Sequence, residues 1–193
     1  VKVNVFGTRI LADLAIVHQV EKFVMISSDK AVNPTNVMGA SKRISEMYCQ
    51  SLSKITNTKF IITRFGNVLG SNGSVIPLFI EQIKAGKALT ITDPKMTRFL
   101  MSLDNSVDLV LYAYQNGKQG AIYVQKAPAS TVENLVQALK EIFNSEASVK
   151  IIGTRHGEKL YESLISREEM ARAIDLEEHY MYISNIYFLL ACE

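Results

Sequence analysis

The sequence predicts an α/β fold, with part of a doubly wound parallel sheet and a small mixed lobe, and two observations support this. Short apolar runs rich in β-branched residues alternate along the chain with longer segments of helical periodicity. The runs at residues 23–26, 59–67 and 121–126 are bounded by polar or glycine-containing turns, as strands buried in a parallel sheet are. With 48% hydrophobic residues in a chain of 193, there is enough apolar material for a core.

Local signals mark where several elements begin and end. Gly86 can close one helix, Asn116 and Gly117 can close another, and Ser130 with Glu133 has the spacing of a capping box for a third. In chain order we predict an amphipathic helix over 1–20, a strand over 23–26 that is buried on both faces, a helix around 38–42, a strand over 59–67, a helix over 75–86, a strand over 88–92, a helix over 102–117, a strand over 121–126, a helix over 131–143 and a strand over 149–153.

Chemistry is expected where the strand at 23–26 ends. Residues 27–30 form a polar turn at its carboxyl end. Ligands of open α/β sheets bind in the crevice beyond the carboxyl ends of the strands. Asp29 and Lys30 would therefore project into such a crevice, although an isolated Asp-Lys dipeptide is more often an ordinary surface ion pair.

The next helix adds two further candidate residues. Thr35 or Asn36 can cap it, and it carries Met38 and Lys42. Because these two residues are spaced i, i+4, they lie one above the other on a single helix face.

Several longer motifs occur in a fixed order: SDKAVNPTN with MGASK, RFGNVLGSNGSVIPLF, DPKMTRFLMS, YVQKAP and GTRHGEKLYESL. Together they resemble the extended short-chain dehydrogenase/reductase family. Within it, the chain is similar to the inverting UDP-N-acetylglucosamine 4,6-dehydratases of bacterial capsule synthesis, which also epimerise C5. Ordered motifs of this number are far more specific than one short pattern. Met38 departs from the family, because it stands where the YxxxK pair normally has its tyrosine.

A dinucleotide-binding GxGxxG turn is missing from the sequence. The resemblance therefore implies the second half of a Rossmann-like fold in an amino-terminally truncated chain that is inactive alone. We expect residues 1–75 to be the carboxyl-side half of the NADP-binding domain, with the catalytic motifs. Residues 76–193 are expected to hold interleaved elements and the nucleotide-sugar-binding lobe.

The resemblance implies NADP, rather than NAD, as the cofactor and a UDP-sugar as the substrate. Lys30 would remove the C5 proton, and Asp29 would protonate the departing C6 hydroxyl. Met38 would line the pocket without acid/base work, and Lys42 would hydrogen-bond the nicotinamide ribose. The implied cofactor contacts are Ser27, Ser28, Lys42, Phe65 and Asn67, and the implied substrate contacts are Asn67, Ser74, Val75, Arg98, Arg155 and Glu158, with His156 as a further hydrogen-bond partner.

Three questions stay open at the level of the sequence. Without a tyrosine at position 38, the acceptor of the C4 hydroxyl proton is Lys42, Ser27, Ser28 or a water. A nucleotide-sugar 4-epimerase or a retaining 4,6-dehydratase is the alternative enzyme. A non-catalytic UDP-sugar-binding fragment is the alternative of another class.

Composition argues against several other classes. A net charge of +2 does not indicate nucleic-acid binding. Cys49 and Cys192 have neither metal-ligand nor disulfide spacing, which favours the cytoplasm, and His18 and His179 carry no metal-ligand pattern, so we predict no metal. We see no signal peptide and no apolar run of membrane-spanning length, and we expect the parent enzyme to be a homo-oligomer.

The carboxyl end does not fit the resemblance. Residues 180–192 are apolar and aromatic, with no charge before Glu193. Such a window is an aggregation hazard at a chain end, so a translation artefact or a damaged gene end is the first explanation. A strand of the core is the second.

Overall fold

A computed structural model describes residues 1–183, and the internal contacts divide the chain into two units. Within the described residues, unit 1 comprises residues 1–65, 104–126 and 163–183. Unit 2 comprises residues 66–103 and 127–162. The functional division at residues 75 and 76 stays a prediction.

The elements follow the predicted alternation. The strands within residues 1–183 are β1 (Lys22–Ser28), β2 (Lys59–Phe65), β3 (Asn67–Val68), β4 (Leu89–Ile91), β5 (Thr97–Met101), β6 (Ala121–Gln125), β7 (Ala129–Thr131), β8 (Val149–Ile151), β9 (Ile174–Leu176) and β10 (His179–Ile183). The α-helices are α1 (Thr8–Val17), α2 (Val37–Leu52), α3 (Val75–Lys84), α4 (Leu103–Asn116), α5 (Val132–Ile142) and α6 (Arg167–Met170). A π-helical segment, Lys2–Gly7, precedes α1, and a 3₁₀ turn, Asp29–Ala31, follows β1.

Unit 1 is built on a five-stranded sheet with the order β1-β2-β6-β10-β9. β1, β2 and β6 run parallel, as predicted, and β10 pairs antiparallel with β6 and β9. Helix α4 covers one face, where its apolar side chains pack against those of β2, β6 and β10; the buried cluster contains Ile61, Leu109, Ala113, Ala121, Tyr123 and Met181. The sheet and its helix confirm the α/β prediction.

The prediction that the first strand is buried on both faces is wrong. Met25 and Ser27 are buried, but Ile26 between them is 50% exposed. The reason is that β1 is an edge strand, with β2 as its only neighbour in the described sheet. Alternate side chains of a strand point to opposite faces, so Ile26 lies on the face of Val24. Val24 packs against the buried cluster, but at this edge of the sheet the cluster does not cover Ile26.

The apolar carboxyl segment begins as a strand of the core. Met181 is 2% exposed and Tyr182 is 7% exposed, and both lie in β10. Residues 180–183 of the segment therefore lie in a core strand, as the second explanation expects. The rest of the predicted segment, residues 184–192, lies outside the described residues.

Unit 2 contains two small sheets, one with the order β3-β5-β7 and one that pairs β4 with β8. Its core lies between α3, α5 and β4, with Phe79, Leu89, Ile91, Val136 and Leu139 buried together. Gly86 follows α3 with a φ of 63°, a left-handed conformation that suits glycine, which supports its predicted role at the helix end.

The predicted capping box at Ser130 and Glu133 is wrong by one residue. Helix α5 begins at Val132, so Thr131 is its N-cap, and the Thr131 side chain accepts a hydrogen bond from the Asn134 amide. Ser130 lies in β7 instead. A complete capping box occurs at Ser166 and Glu169 of α6, where the sequence analysis predicted no helix.

Candidate active site

The Asp-Lys turn forms the first part of the candidate site. The side chain of Ser28 accepts a hydrogen bond from the Lys30 amide at 3.2 Å and so begins the 3₁₀ turn. The Asp29 side chain is fully buried, and the Lys30 ammonium donates to its Oδ1 at 2.8 Å. Asp29 Oδ2 is also buried and has no hydrogen-bond partner among the described residues. A buried carboxyl group with one unused oxygen can bind a hydroxyl group of a ligand.

Helix α2 supplies the second part. Asn36 caps it, as one of the two predicted candidates, by accepting a hydrogen bond from the Gly39 amide at 2.9 Å. Met38 is 44% exposed in its first turn. Lys42 Nζ donates to the Ile26 carbonyl oxygen at 3.0 Å, which directs its ammonium group to the end of β1.

The charge state of Lys42 depends on its surroundings. Burial lowers the pKa of Lys42, because desolvation penalises the ammonium form. The negative charge of Glu46, one helical turn later, acts in the opposite direction and raises it. Lys42 is therefore more easily deprotonated than a surface lysine, but less so than its burial alone would make it.

Gly39 brings helix α2 close to the Asp-Lys turn. A Cβ atom at position 39 would lie 2.2 Å from the Lys30 carbonyl oxygen and 3.1 Å from the Pro34 side chain. Real Cβ atoms do not approach a backbone oxygen this closely. Only glycine allows this approach. Gly39 lies in the MGASK motif, but no local pattern in the sequence indicates this contact.

The π-helical segment holds α2 from the other side. Asn4 Nδ2 donates to Ser41 Oγ at 2.9 Å, and Ser45 Oγ donates to the Asn4 carbonyl oxygen at 2.6 Å. Ser41 Oγ in turn donates to the Met38 carbonyl oxygen at 2.7 Å. Polar contacts thus hold the helix turn that carries Met38 and Lys42, and sequence periodicity gave no signal for them.

Two of the predicted cofactor residues lie beside this turn and one lies in the core. Ser27 is 2% exposed, and its Oγ has no partner among the described residues, so it is open to a ligand. Ser28 is engaged by the turn itself. Phe65, at the end of β2, packs against the buried cluster of unit 1.

Unit 2 contains a cavity of about 360 Å³. The predicted substrate residues all line it: Asn67, Ser74, Val75, Arg98, Arg155 and Glu158. Ser74 is the N-cap of α3, and its buried Oγ has no partner within residues 1–183. The first amides of α3 therefore border the cavity without a side-chain cap, a geometry that suits an anion.

The two arginines of the cavity differ in how their donors are used. Arg98 donates from Nη1 to the carbonyl oxygens of Thr97 and Lys159, at 2.7 and 3.1 Å, and its Nη2 lies 2.7 Å from Met96 Sδ. Arg155 is exposed, and its backbone amide donates to Glu158 Oε2 at 3.0 Å. The Arg155 side chain is therefore the more available of the two for a phosphate, and their roles stay predictions.

Within residues 1–183, no group of three or more histidine, cysteine or acidic residues is arranged to hold a metal ion. Nor is any helix in this part of the chain both long enough and apolar enough to cross a membrane.

Comparison with known proteins adds a family and a set of folds. A family model described as "Polysaccharide biosynthesis protein" matches residues 1–184. A Rickettsia rickettsii protein named "UDP-glucose 4-epimerase" is 55% identical over 183 residues, which are 93% of this chain and 54% of the relative. A Rickettsia conorii protein of the same name is 54% identical with the same coverage. The chain thus spans about half the length of the curated relatives it matches.

Solved structures agree on the fold. The X-ray structure of Pen from Bacillus thuringiensis is 36% identical with a TM-score of 0.90, over 94% of this chain and 59% of that one. The dTDP-glucose 4,6-dehydratase DesIV from Streptomyces venezuelae, solved with NAD, is 23% identical with a TM-score of 0.79, over 87% of this chain and 58% of that one. At that identity the second likeness shows the fold alone, and it supports the α/β assignment.

Proposed function

The chain belongs to the polysaccharide biosynthesis protein family, and we propose that it carries the catalytic residues of a nucleotide-sugar 4,6-dehydratase. In this proposal a protein that contains the chain converts UDP-N-acetylglucosamine to a UDP-4-keto-6-deoxy sugar, with inversion at C5 and with NADP as the cofactor. The observation that carries the proposal is the pair of Asp29 and Lys30, a buried carboxyl group with one unused oxygen against an amine.

The residues at the end of β1 fit a nicotinamide cofactor. Ser27 has a buried hydroxyl group without a partner among the described residues, and Lys42 presents an ammonium group at the same strand end. Both groups can hydrogen-bond ribose or carboxamide oxygens. When bound, the cofactor accepts a hydride from the sugar and returns it.

Asp29 and Lys30 can supply the acid and the base of the elimination. Transfer of one proton along the 2.8 Å contact, from Lys30 Nζ to Asp29, converts the ion pair into a neutral amine and a carboxylic acid. The amine then takes the C5 proton of the 4-keto sugar. The C6–O bond breaks, and the Asp29 proton leaves with the hydroxyl group as water.

Met38 cannot accept the proton of the C4 hydroxyl group. A thioether neither gives nor takes a proton, so the C4 hydroxyl needs another acceptor. Lys42, Ser27, Ser28 and a water all stay candidates. The easier deprotonation of Lys42 favours it among the side chains.

The cavity of unit 2 is proposed to bind the nucleotide part of the substrate. The uncapped amides at Ser74 and Val75 suit the diphosphate, and exposed Arg155 adds a positive charge. Glu158 offers a carboxylate oxygen to ribose hydroxyls. In this proposal Arg98 holds the wall of the cavity in place, because its guanidinium donates to the carbonyl oxygens of Thr97 and Lys159.

A 4-epimerase is the second candidate, because the Rickettsia relatives carry that name at 54–55% identity. An epimerase moves a proton at the C4 hydroxyl and needs no acid at C6. Asp29 and Lys30 would then have no part in bond breaking. The two candidates therefore differ in what substitution of this pair does.

The test uses a chimera in which this chain replaces the region it matches in the Rickettsia rickettsii relative. The chimera is incubated with NADP⁺ or NAD⁺ and with UDP-N-acetylglucosamine or UDP-glucose in deuterated water. Dehydration shows as loss of one water and gain of C5 deuterium, whereas 4-epimerisation leaves the mass unchanged. Epimerisation without loss of water, unaffected by Lys30→Met, would replace the first proposal by the second. Binding of UDP-sugar without turnover would indicate a non-catalytic binder.

A further inference from the structure

A buried ionic cluster lies in unit 1 and includes Glu46, on the face of helix α2 that also carries Lys42. Its centre is Arg64 of β2, which is fully buried. The Arg64 guanidinium donates from Nε and Nη2 to the two oxygens of Glu46, at 2.8 and 2.7 Å. It also donates from Nη1 and Nη2 to the two oxygens of Glu169, at 2.7 and 2.9 Å. One guanidinium thus makes two bidentate ion pairs, with α2 on one side and α6 on the other.

Arg43 completes the cluster. Its Nη1 donates to Glu46 at 2.9 Å and to Glu169 at 3.3 Å. The Glu169 carboxylate also accepts from the Ser166 amide at 3.0 Å, as part of the capping box. Two positive and two negative side chains therefore satisfy one another, and all four carboxylate oxygens have partners.

The cluster stays ionic in spite of its burial. Desolvation by itself would raise the pKa of Glu169, but the hydrogen bonds and charge of Arg64 hold that pKa below its usual value. Desolvation would likewise lower the pKa of Arg64, but Glu46 and Glu169 raise it. The pKa shifts of Arg64 and Glu169 thus both favour the charged forms of these two side chains.

Stability alone is a weak reason for such a cluster. Buried ion pairs recover little more than their desolvation penalty, and apolar replacements of similar volume are often as stable or more so. Apolar side chains cannot fix the orientation of the elements that they join, because dispersion contacts tolerate rotation of one element against another. Bidentate hydrogen bonds do not tolerate such a rotation.

The cluster fixes the orientation of the face of α2 that carries Lys42. Glu46 lies at i+4 from Lys42, on the same face of α2, and Arg43 is the next residue in the chain. Holding Glu46 at both oxygens sets the rotation of α2 about its axis. That rotation determines where Lys42 Nζ meets the end of β1, at the Ile26 carbonyl oxygen.

From this geometry we infer that Arg64, Glu46 and Glu169 are positioning residues that hold Lys42 in its catalytic place. The inference rests on the proposed function only in calling Lys42 catalytic. Glu46 also affects the charge of Lys42, since its negative charge raises the Lys42 pKa, and this agrees with the inference.

The first test separates position from stability. In the chimera, a triple variant with Arg64→Met, Glu46→Leu and Glu169→Leu removes the buried charges together, and Arg43, which is partly exposed, can turn to solvent. We expect the triple variant to fold and to keep KM for the UDP-sugar, but to lose kcat by about 10- to 10²-fold, the scale of a small misplacement of a catalytic group. Arg64→Lys should lose kcat similarly, because one ammonium group cannot make both bidentate pairs.

The matched control is Tyr123→Phe. Tyr123 is buried in β6, and its hydroxyl group contacts the Lys118 amide and the Asn116 carbonyl oxygen, neither of which belongs to a candidate catalytic residue. It should lower stability without a change in kcat. A triple variant that is folded and keeps wild-type kcat would overturn the inference and leave the cluster a merely structural role.

The second test needs no turnover. Lysines of the 193-residue chain are labelled with an amine-reactive reagent, and mass spectrometry compares the rate at Lys42 with that at exposed Lys87. Loss of the Glu46 charge should lower the Lys42 pKa, and loss of the fixed helix rotation should make its amine more accessible to the reagent. The relative rate at Lys42 should therefore rise about threefold or more in the triple variant. The rate should not change in Tyr123→Phe.

The results of the two tests distinguish a failure of the proposed function from a failure of the positioning inference. An inactive wild-type chimera would count against the proposed function, and the labelling ratio would still decide the positioning role. An unchanged ratio at Lys42 in both the triple variant and Arg64→Lys would overturn the inference whatever the chimera catalyses.

Discussion

Unit 1 contains two buried ionic groups, one in the turn after β1 and one centred on Arg64 of the neighbouring strand β2, and they differ in how fully their hydrogen-bonding atoms are used. At the end of β1, Asp29 is fully buried, but one of its oxygens has no partner within the described residues. In β2, Arg64 and its two glutamates use every carboxylate oxygen. Strand register places Ser27, two residues before Asp29, directly opposite Arg64.

The difference indicates two uses of buried charge. A fully satisfied network is rigid and holds its neighbours in one arrangement. A partly satisfied group retains hydrogen-bonding capacity for a ligand and costs free energy until the ligand arrives. We therefore expect substitutions in the Asp29 pair to change catalysis more than stability, and substitutions at Arg64 to change stability strongly.

The largest expected effect concerns Lys30. In the chimera, Lys30→Met should lower kcat by on the order of 10²- to 10⁴-fold, because a positioned base contributes on that scale. Affinity for the UDP-sugar should change little. The measurement is turnover together with exchange of the C5 hydrogen for solvent deuterium. Normal exchange in Lys30→Met would show that another group is the base.

The second prediction concerns Arg64 alone. Arg64→Met leaves Glu46 and Glu169 buried without their main partner, so the free energy of unfolding of the 193-residue chain should fall by about 3–5 kcal/mol. Asp29→Asn keeps one acceptor oxygen for Lys30 and should cost no more than about 1 kcal/mol. Urea unfolding of both variants measures the contrast. Equal losses in the two variants would remove the distinction between the two buried groups.

The third prediction uses two helical glycines. Gly39→Ala places a methyl group against the Lys30 carbonyl oxygen, so α2 must shift, at a cost of about 1–3 kcal/mol. Gly7→Ala is the matched control, since its Cβ would meet only the Lys2 carbonyl oxygen at 3.7 Å, and it should change stability by less than about 1 kcal/mol. Thermal unfolding compares them. If both variants unfold at the wild-type temperature, the close approach at Gly39 does not constrain the turn.

The fourth prediction concerns acid. The folded-state pKa of Glu169 lies below the ordinary value of 4.5. As the pH falls, the unfolded chain therefore binds more protons than the folded one, and the free energy of unfolding decreases. The contribution of Glu169 should be complete above about pH 4.5 and should be lost as the pH falls through its folded pKa. Urea midpoints at about pH 6 and about pH 3.5 should therefore differ less in Glu169→Gln than in the wild type. An identical pH dependence in both would exclude Glu169 as a contributor.

The smallest expected effect is at Met38. Met38→Leu conserves volume, and its cost should stay below about 1.5 kcal/mol with most activity retained in the chimera. Lys42→Met, one helical turn later, should abolish most turnover because it removes the ammonium group from the end of β1. Steady-state kinetics of the two variants provide the comparison. A severe loss in a folded Met38→Leu variant would give the thioether a role in the reaction.

Local signals predicted much of the fold and part of the site. The apolar run at 59–67 and the cap at Asn36 appear in the structure as β2 and the start of α2, because short-range patterns and capping groups act within a few residues. The capping box at Ser130 failed by one residue, since both Ser130 and Thr131 are suitable caps and the strand pairing of β7 selects Thr131. The six substrate candidates were placed by motif, and they line one cavity.

Other features depend on residues that are distant in the chain. Arg64 and Glu169 are separated by 105 residues, and nothing near either residue indicates the other. The available signals were the position of Arg64 within an apolar run and the Ser166–Glu169 capping spacing, and neither identifies a partner. Ile26 likewise has the pattern of a buried residue, and only its place on an edge strand leaves it half exposed.

The sequence by itself determined the alternation of strands and helices, the polar turn at the end of β1 and the helix spacing of Met38 and Lys42, because periodicity and capping are local properties of a chain. Only the tertiary structure decided that Asp29 keeps an unused oxygen, that Gly39 touches the Lys30 carbonyl oxygen and that Arg64 joins α2 to α6. These features require burial and contact between distant segments. In a desolvated interior, a hydrogen bond that is made stabilises the fold more than in water, and a polar group without a partner costs more free energy than in water.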